Sequence, residues 1–190
     1  MDSHIQLIGS IVIGSVFLLG VMTFYSGVMD FNNEKTFELL TQETTASLME
    51  IIEYDFRRVG SGLTYQELAI LDTSTITFLG DINADGAVDT VRYYTSDVSA
   101  AASTPNPNDV ILYREVNGLK TIDTPAGVTE FTVDLLDELG NSTTELMAVR
   151  MLHVSLTVES RFPYDNRYAR AFWEKRIAPQ NLYRQTLTDF

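Results

Sequence analysis

The chain has 190 residues, 13 Lys+Arg against 26 Asp+Glu, a formal net charge of −13 and no cysteine. That length holds one folded unit, two at most, and the charge argues against nucleic-acid binding, because phosphate contacts need clustered Lys and Arg. The missing cysteine excludes a disulfide scaffold, a zinc–thiolate centre and a cysteine nucleophile, and two histidines as far apart as His4 and His153 do not suggest a His-rich metal centre.

Residues 1–29 read as a membrane-spanning segment. Ile5 to Tyr25 carries no charge over 21 residues, and a bilayer core of roughly 30 Å needs about 20 helical residues. Gly9, Gly14 and Gly20 suit a membrane helix better than a water-exposed one. Gly9 and Gly14 are five apart, so they are not a GxxxG pair. Ser10 and Gly14 fit the looser small-xxx-small spacing that lets two helices approach. A cleaved signal peptide would need a basic leading region, and the first basic residue is Lys35. A retained single-pass helix is expected, in an inner (cytoplasmic) membrane. With no basic cluster on either flank, the preferred orientation places the short tail inside and the large acidic domain outside.

Residues 30–62 continue as an amphipathic helix. No proline or glycine occurs from Asp30 to Val59. Phe37, Leu40, Leu48, Ile51, Ile52 and Phe56 recur near the helical period, with charged and amide residues between them. Gly60-Ser61-Gly62 supplies the stop. Asn32 and Asn33 mark where two separate helices would break. Arg57-Arg58 is placed to meet the carbonyl end of the helix and to neutralise Asp55 or Glu53. The 48–56 half of the stripe is expected to be core. The 31–44 half, with Phe31, Phe37 and Leu40, has less of this chain to cover it and is expected to face a partner, as are Gly9, Ser10 and Gly14.

Residues 63–190 change to period two. Strands are predicted at 75–79, 90–94, 110–116, 128–136, 149–158 and 167–177. Asn117-Gly118 turns into Leu119–Ile122 as a hairpin, and 99–109 reads as a proline-containing loop. The fold class is therefore α+β: a long N-terminal helix packed on an antiparallel sheet domain.

Between the first two of these strands lies Asp81-Ile82-Asn83-Ala84-Asp85-Gly86-Ala87-Val88-Asp89. Calcium wants six to eight oxygen ligands. Asp81, Asn83 and Asp85 would give side-chain oxygens, Ala87 its carbonyl and Asp89 a further carboxylate, with Gly86 at the sharp turn. Arg92 stands where an EF-hand has its glutamate, so the loop is closer to the dockerin and thrombospondin type. The competing reading is an ordinary Asn/Asp/Gly turn.

In order along the chain, Leu48–Gly62 (LMEIIEYDFRRVGSG), Asp89–Tyr94 (DTVRYY), Val110–Asn117 (VILYREVN), Ala126–Asp134 (AGVTEFTVD) and Arg176–Leu182 (RIAPQNL) follow the membrane helix. This succession resembles the type IV pilin-like superfamily, and within it the minor pilins and J-type minor pseudopilins. The resemblance implies a long helix under an antiparallel head. It also implies a structural role in a pilus-like or type II secretion-like filament, with other pilin-like subunits as partners through the helix. Family members carry a basic leader and Phe-Thr-Leu-Ile-Glu; counted from Met1, the fifth position here is Ile5. The family's tip subunits often lack that glutamate.

The remaining features have plain readings. His153 sits mid-strand as a structural histidine. Arg161, Arg167, Arg170, Lys175 and Arg176 balance an acidic remainder, and Asn141-Ser142-Thr143 is a weak glycosylation triplet. No Ser/His/Asp set, phosphate loop or carboxylate pair appears, so an enzyme is not expected. A stand-alone membrane-anchored extracytoplasmic binding domain with a calcium-ordered loop is the alternative to a filament subunit.

Overall fold

The computed structural model describes residues 2–63, 68–72, 75–124, 127–164 and 166–184. One α-helix, α1 (Asp2–Arg57), runs unbroken for 56 residues, about 84 Å at 1.5 Å per residue. Asn32 and Asn33 do not interrupt it. Hydroxyls inside the apolar stretch are satisfied locally. Ser10 donates to the Leu7 carbonyl at 2.9 Å, Ser15 to Ile11 at 2.8 Å and Thr23 to Leu19 at 2.9 Å. They therefore present no unpaired donor to an apolar medium.

Among the described residues eight strands follow: β1 (Leu68–Asp72), β2 (Thr75–Gly80), β3 (Asp89–Thr95), β4 (Leu112–Val116), β5 (Leu119–Thr124), β6 (Val128–Leu136), β7 (Met151–Glu159) and β8 (Arg170–Ile177). A short helix, α2 (Gln180–Arg184), comes last. All pairings are antiparallel. The single sheet predicted from sequence is in fact two: a five-stranded meander, β1 to β5, and a three-stranded sheet, β6-β7-β8. The sheets are linked by a hydrogen bond from Val110 N–H to the Val128 carbonyl at 2.8 Å. β1 and α2 were not foreseen, and β8 begins at Arg170, three residues later than the pattern placed it. The β4–β5 hairpin is as expected: Asn117 (φ 53°) and Gly118 (φ 81°) both take the left-handed region that a type I′ turn demands.

The lower half of α1 is the spine of the head. Leu48, Met49, Ile52 and Phe56, and Val59 just beyond the helix, are buried against both sheets, with Phe78, Val91, Tyr93, Leu152 and Leu156. Phe56 packs edge-on against Phe78 at 5.5 Å and Tyr93 at 5.4 Å. Burying each such side chain is worth about 1.5–3 kcal/mol. Ile51 departs from the predicted stripe and is 39% exposed. The buried face advances 45, 48, 49, 52, 55, 56, 59, which leaves position 51 on the far side.

After the helix the chain doubles back tightly. Gly60 N–H donates to the Leu79 carbonyl at 2.8 Å, and Asp81 N–H to the Ser61 carbonyl at 3.0 Å. Only glycine fits at position 80, because a Cβ there would stand 2.3 Å from the Arg58 carbonyl oxygen.

Candidate functional site

Three regions are candidates for function: the uncovered helix, the joint between helix and head, and the 81–89 loop.

The upper helix is exposed at every position from Ser10 to Asn33. α1 is long and apolar enough to cross a membrane. Leu7, Ile11, Val16, Phe17, Leu19 and Phe24 are each more than half exposed. Gly9 and Gly14 meet nothing within 4 Å of where a Cβ would stand. Ser10 is exposed too, its hydroxyl already spent on Leu7. Farther down, Phe31 is 57% and Leu40 54% exposed. Phe37 is half-buried, because it also lines two grooves between α1 and the 160–170 segment. Of the six positions expected to meet a partner, Phe37 and Leu40 thus also line a groove within the chain.

The joint is a buried ionic cluster. Asp55 has no exposed surface. Its carboxylate accepts Arg114 Nε at 2.6 Å and Nη2 at 2.9 Å, a bidentate pair. Tyr93 Oη donates to the same carboxylate at 2.5 Å. Tyr93 and Arg114 are direct cross-strand neighbours on β3 and β4, so both side chains leave one face of the sheet toward the helix. Burial, then the Asp55 charge, pushes the Tyr93 hydroxyl well above its ordinary value. Burial works against the Arg114 charge, but the bonds to Asp55 and Tyr93 outweigh it and raise its pKa.

The arginines beside the helix end divide differently from the sequence expectation. Arg57 does pair with Glu53, one turn back. Asp55 is neutralised by Arg114, 59 residues away, and not by Arg57 or Arg58. Arg58 lies over the Tyr54 ring and donates to the Ile82 carbonyl at 2.9 Å. Lys175 of β8 reaches Glu53 at 2.7 Å. These bonds from Lys175 first, then Arg57, hold the Glu53 carboxyl below the ordinary carboxylate range. Its contribution to stability is therefore present near neutrality and lost as the pH falls through that range.

The 81–89 loop is knit by its own side chains. Ala84 (φ 61°) and Gly86 (φ 88°) are both left-handed. Asp81 accepts the N–H of Asp85 at 3.2 Å and of Gly86 at 3.0 Å. Asn83 Oδ1 shares the Asp85 N–H at 3.0 Å. Asp85 accepts Ala87 N–H at 2.7 Å and the Asn83 amide at 2.8 Å, and these bonds lower its pKa in that order. Oxygens of Asp81 and Asn83 thus converge on one donor, and their type suits a hard cation. Asp89 stands apart. It is buried at the start of β3, with one oxygen on Ile82 N–H and the other on the Asn117 amide. Among the described residues, no group of three or more His, Cys, Asp or Glu is placed to hold a metal ion.

His153 of β7 lies 3.5 Å from Asp134, its register partner on β6, and 3.8 Å from Glu174, placed diagonally on β8. Asn141 closes a polar turn whose N–H groups are collected by Asp137. The joint is what sequence reasoning missed. Its one local signal is an aspartate at position 55 within the apolar stripe, three residues after Ile52.

Comparison of the chain with protein-family models, with curated proteins and with solved structures finds no match.

Proposed function

We propose that this chain is a structural subunit of a pilin-like filament, held in a membrane by its N-terminal helix and presenting the sheet domain outside it. The observation that carries this reading is the division of α1. One continuous helix of 56 residues is buried in the head only over its last turns, and it is exposed at every position from Ser10 to Asn33. A lone anchor needs about 20 residues to cross a bilayer. Here the helix continues for some twenty more with Phe31, Leu39 and Leu40 uncovered, a length that suits lateral packing between helices. The chain would supply shape and cohesion, and the partners are further pilin-like subunits. Purification of the chain from its native membranes, with mass analysis of what accompanies it, tests this. Pilin-like partners bound through the helix are expected, and recovery of the chain alone would overturn the reading.

A second reading is a stand-alone anchored binding domain ordered by calcium. It is favoured by the convergence of Asp81 and Asn83 oxygens on the Asp85 N–H. Asp81, Asn83, Asp85 and the Ala87 carbonyl would hold the ion, with water completing its shell. Calcium at 10–100 times its dissociation constant is then expected to stabilise the head by about 1.4–2.7 kcal/mol. A thermal melt with and without about 1 mM calcium reads this, and Asp81→Ala is expected to remove the rise. A parent protein indifferent to calcium would sink this second reading.

A further inference from the structure

Where the helix enters the head, a groove of about 430 Å³ opens between α1 and the ends of β6 and β7. Its walls include Phe37, Leu40, Val158 and Phe162, and its polar lining includes Asp109 and Glu159. Asp109 is 1% exposed, and its Oδ1 has no hydrogen-bond partner among the described residues. Such an atom costs the fold the full desolvation of a charged oxygen unless something else binds it. The residue is held in place from behind: its N–H donates to the Asn106 carbonyl at 3.3 Å, and the next residue, Val110, is bonded to Val128.

Glu159 adds a second carboxylate. Its Oε2 receives only neutral amides, Asn106 Nδ2 at 3.0 Å and Asn108 Nδ2 at 3.5 Å. Among the described residues neither acid forms an ion pair. One cation, Arg161, also lines the groove, but its guanidinium lies over the Phe162 ring, 5.6 Å from the centroid, and it offsets only one of the two carboxylates. Burial pushes the Asp109 carboxyl above its ordinary value; the Thr104 hydroxyl works against this, the Glu159 charge adds to it, and the Arg161 charge opposes it least of all. The groove is thus an anionic point at the foot of apolar walls, short of one positive charge.

We propose that this groove receives the side chain of a lysine from a neighbouring filament subunit, its ammonium on Asp109 and Glu159 and its methylenes along Phe37, Leu40 and Val158. A divalent metal fits less well, because it wants six or more oxygens and two carboxylates with apolar walls do not supply them. Lysine needs only one or two acceptors, and its stem covers apolar surface. The contact is not self-complementary, so it joins subunits head to tail, the class of contact from which open filaments are built. This inference rests on the filament-subunit reading.

Carbodiimide coupling of the full chain in its native membranes tests it, because that reagent joins a carboxylate only to a primary amine it already touches. Lys35–Glu38 at 2.6 Å and Lys175–Glu53 at 2.7 Å are the internal standards. The expected product is an isopeptide between Asp109 or Glu159 and a lysine of another chain. Asp109→Asn combined with Glu159→Gln should reduce it at least tenfold, and Glu159→Gln alone should reduce it in part while the melting temperature holds. Standards formed without any product at 109 or 159 would overturn the inference, as would coupling there to lipid ethanolamine or to a lysine of the same chain. If links between helices of different chains persist in that case, only the groove is wrong. If no link between chains forms at all, the filament reading falls with it.

Discussion

Replacement of Arg114 by Met is expected to lower the unfolding free energy of the head by about 3–5 kcal/mol, the cost of leaving a buried carboxylate without its partner. Asp55 has no route to water, since none of its surface is exposed, and Tyr93 alone offers it one hydrogen bond. At about 3–5 °C per kcal/mol for a unit of this size, the melting temperature should fall by roughly 10–20 °C. Thermal denaturation of the detergent-solubilised chain, followed by circular dichroism, reads this. Tyr93→Phe removes only one of three bonds to the acid and should cost about 1–2 kcal/mol. Pairing Asp55→Leu with Arg114→Met should recover much of the loss, because the charge left stranded by the single change is gone. A single variant that melts with the parent would mean that the carboxylate is not paired as described.

The cluster matters beyond stability. It bolts the helix to the centre of the five-stranded sheet, while Lys175 and Glu53 bolt it to β8. With attachment to both sheets, the head sits at one fixed angle to the helix that carries it, so an assembly built on the helices can place every head alike.

How much of this was legible in the sequence follows from the range of each interaction. α1 and six of the eight strands are written in local period: charge-free from Ile5 to Tyr25, a 3.6-residue stripe below, alternation beyond Thr75. The Asn117-Gly118 hairpin is a two-residue signal with a steric cause. The division into two sheets was not legible, because successive strands joined by short turns read alike whether or not each pairs with the next. The Asp55–Arg114–Tyr93 cluster was hidden for a related reason: it depends on the β3–β4 register that sets Tyr93 opposite Arg114, and register follows from pairing. The groove acids needed the same knowledge, since Asn106 and Glu159 meet across 53 residues. The 81–89 loop was legible as a loop. What its side chains do for each other there, with Asp89 serving β3 and Asn117, depends on the folded backbone and has no local signal.

The largest effect on assembly is expected from the double replacement Gly9→Leu and Gly14→Leu. The two kinds of glycine in this chain make the experiment clean. At Gly80 a Cβ would collide with backbone at 2.3 Å, so a side chain there must damage the head. At Gly9 and Gly14 there is nothing within 4 Å, and the helix around them is exposed. Leucine there strains nothing within the chain. It is a better helix former than glycine, and as apolar as any residue a membrane accepts. The head should therefore melt at the parental temperature, and insertion should be unchanged. What two leucines destroy is the close approach of a second helix, which small residues permit and large ones prevent. In native membranes, crosslinked oligomers seen with the parent are expected to fall at least tenfold in the variant. Oligomers that persist undiminished would show that the glycine face is lined by lipid alone, and would move the contact surface down the helix to Phe31 and Leu40.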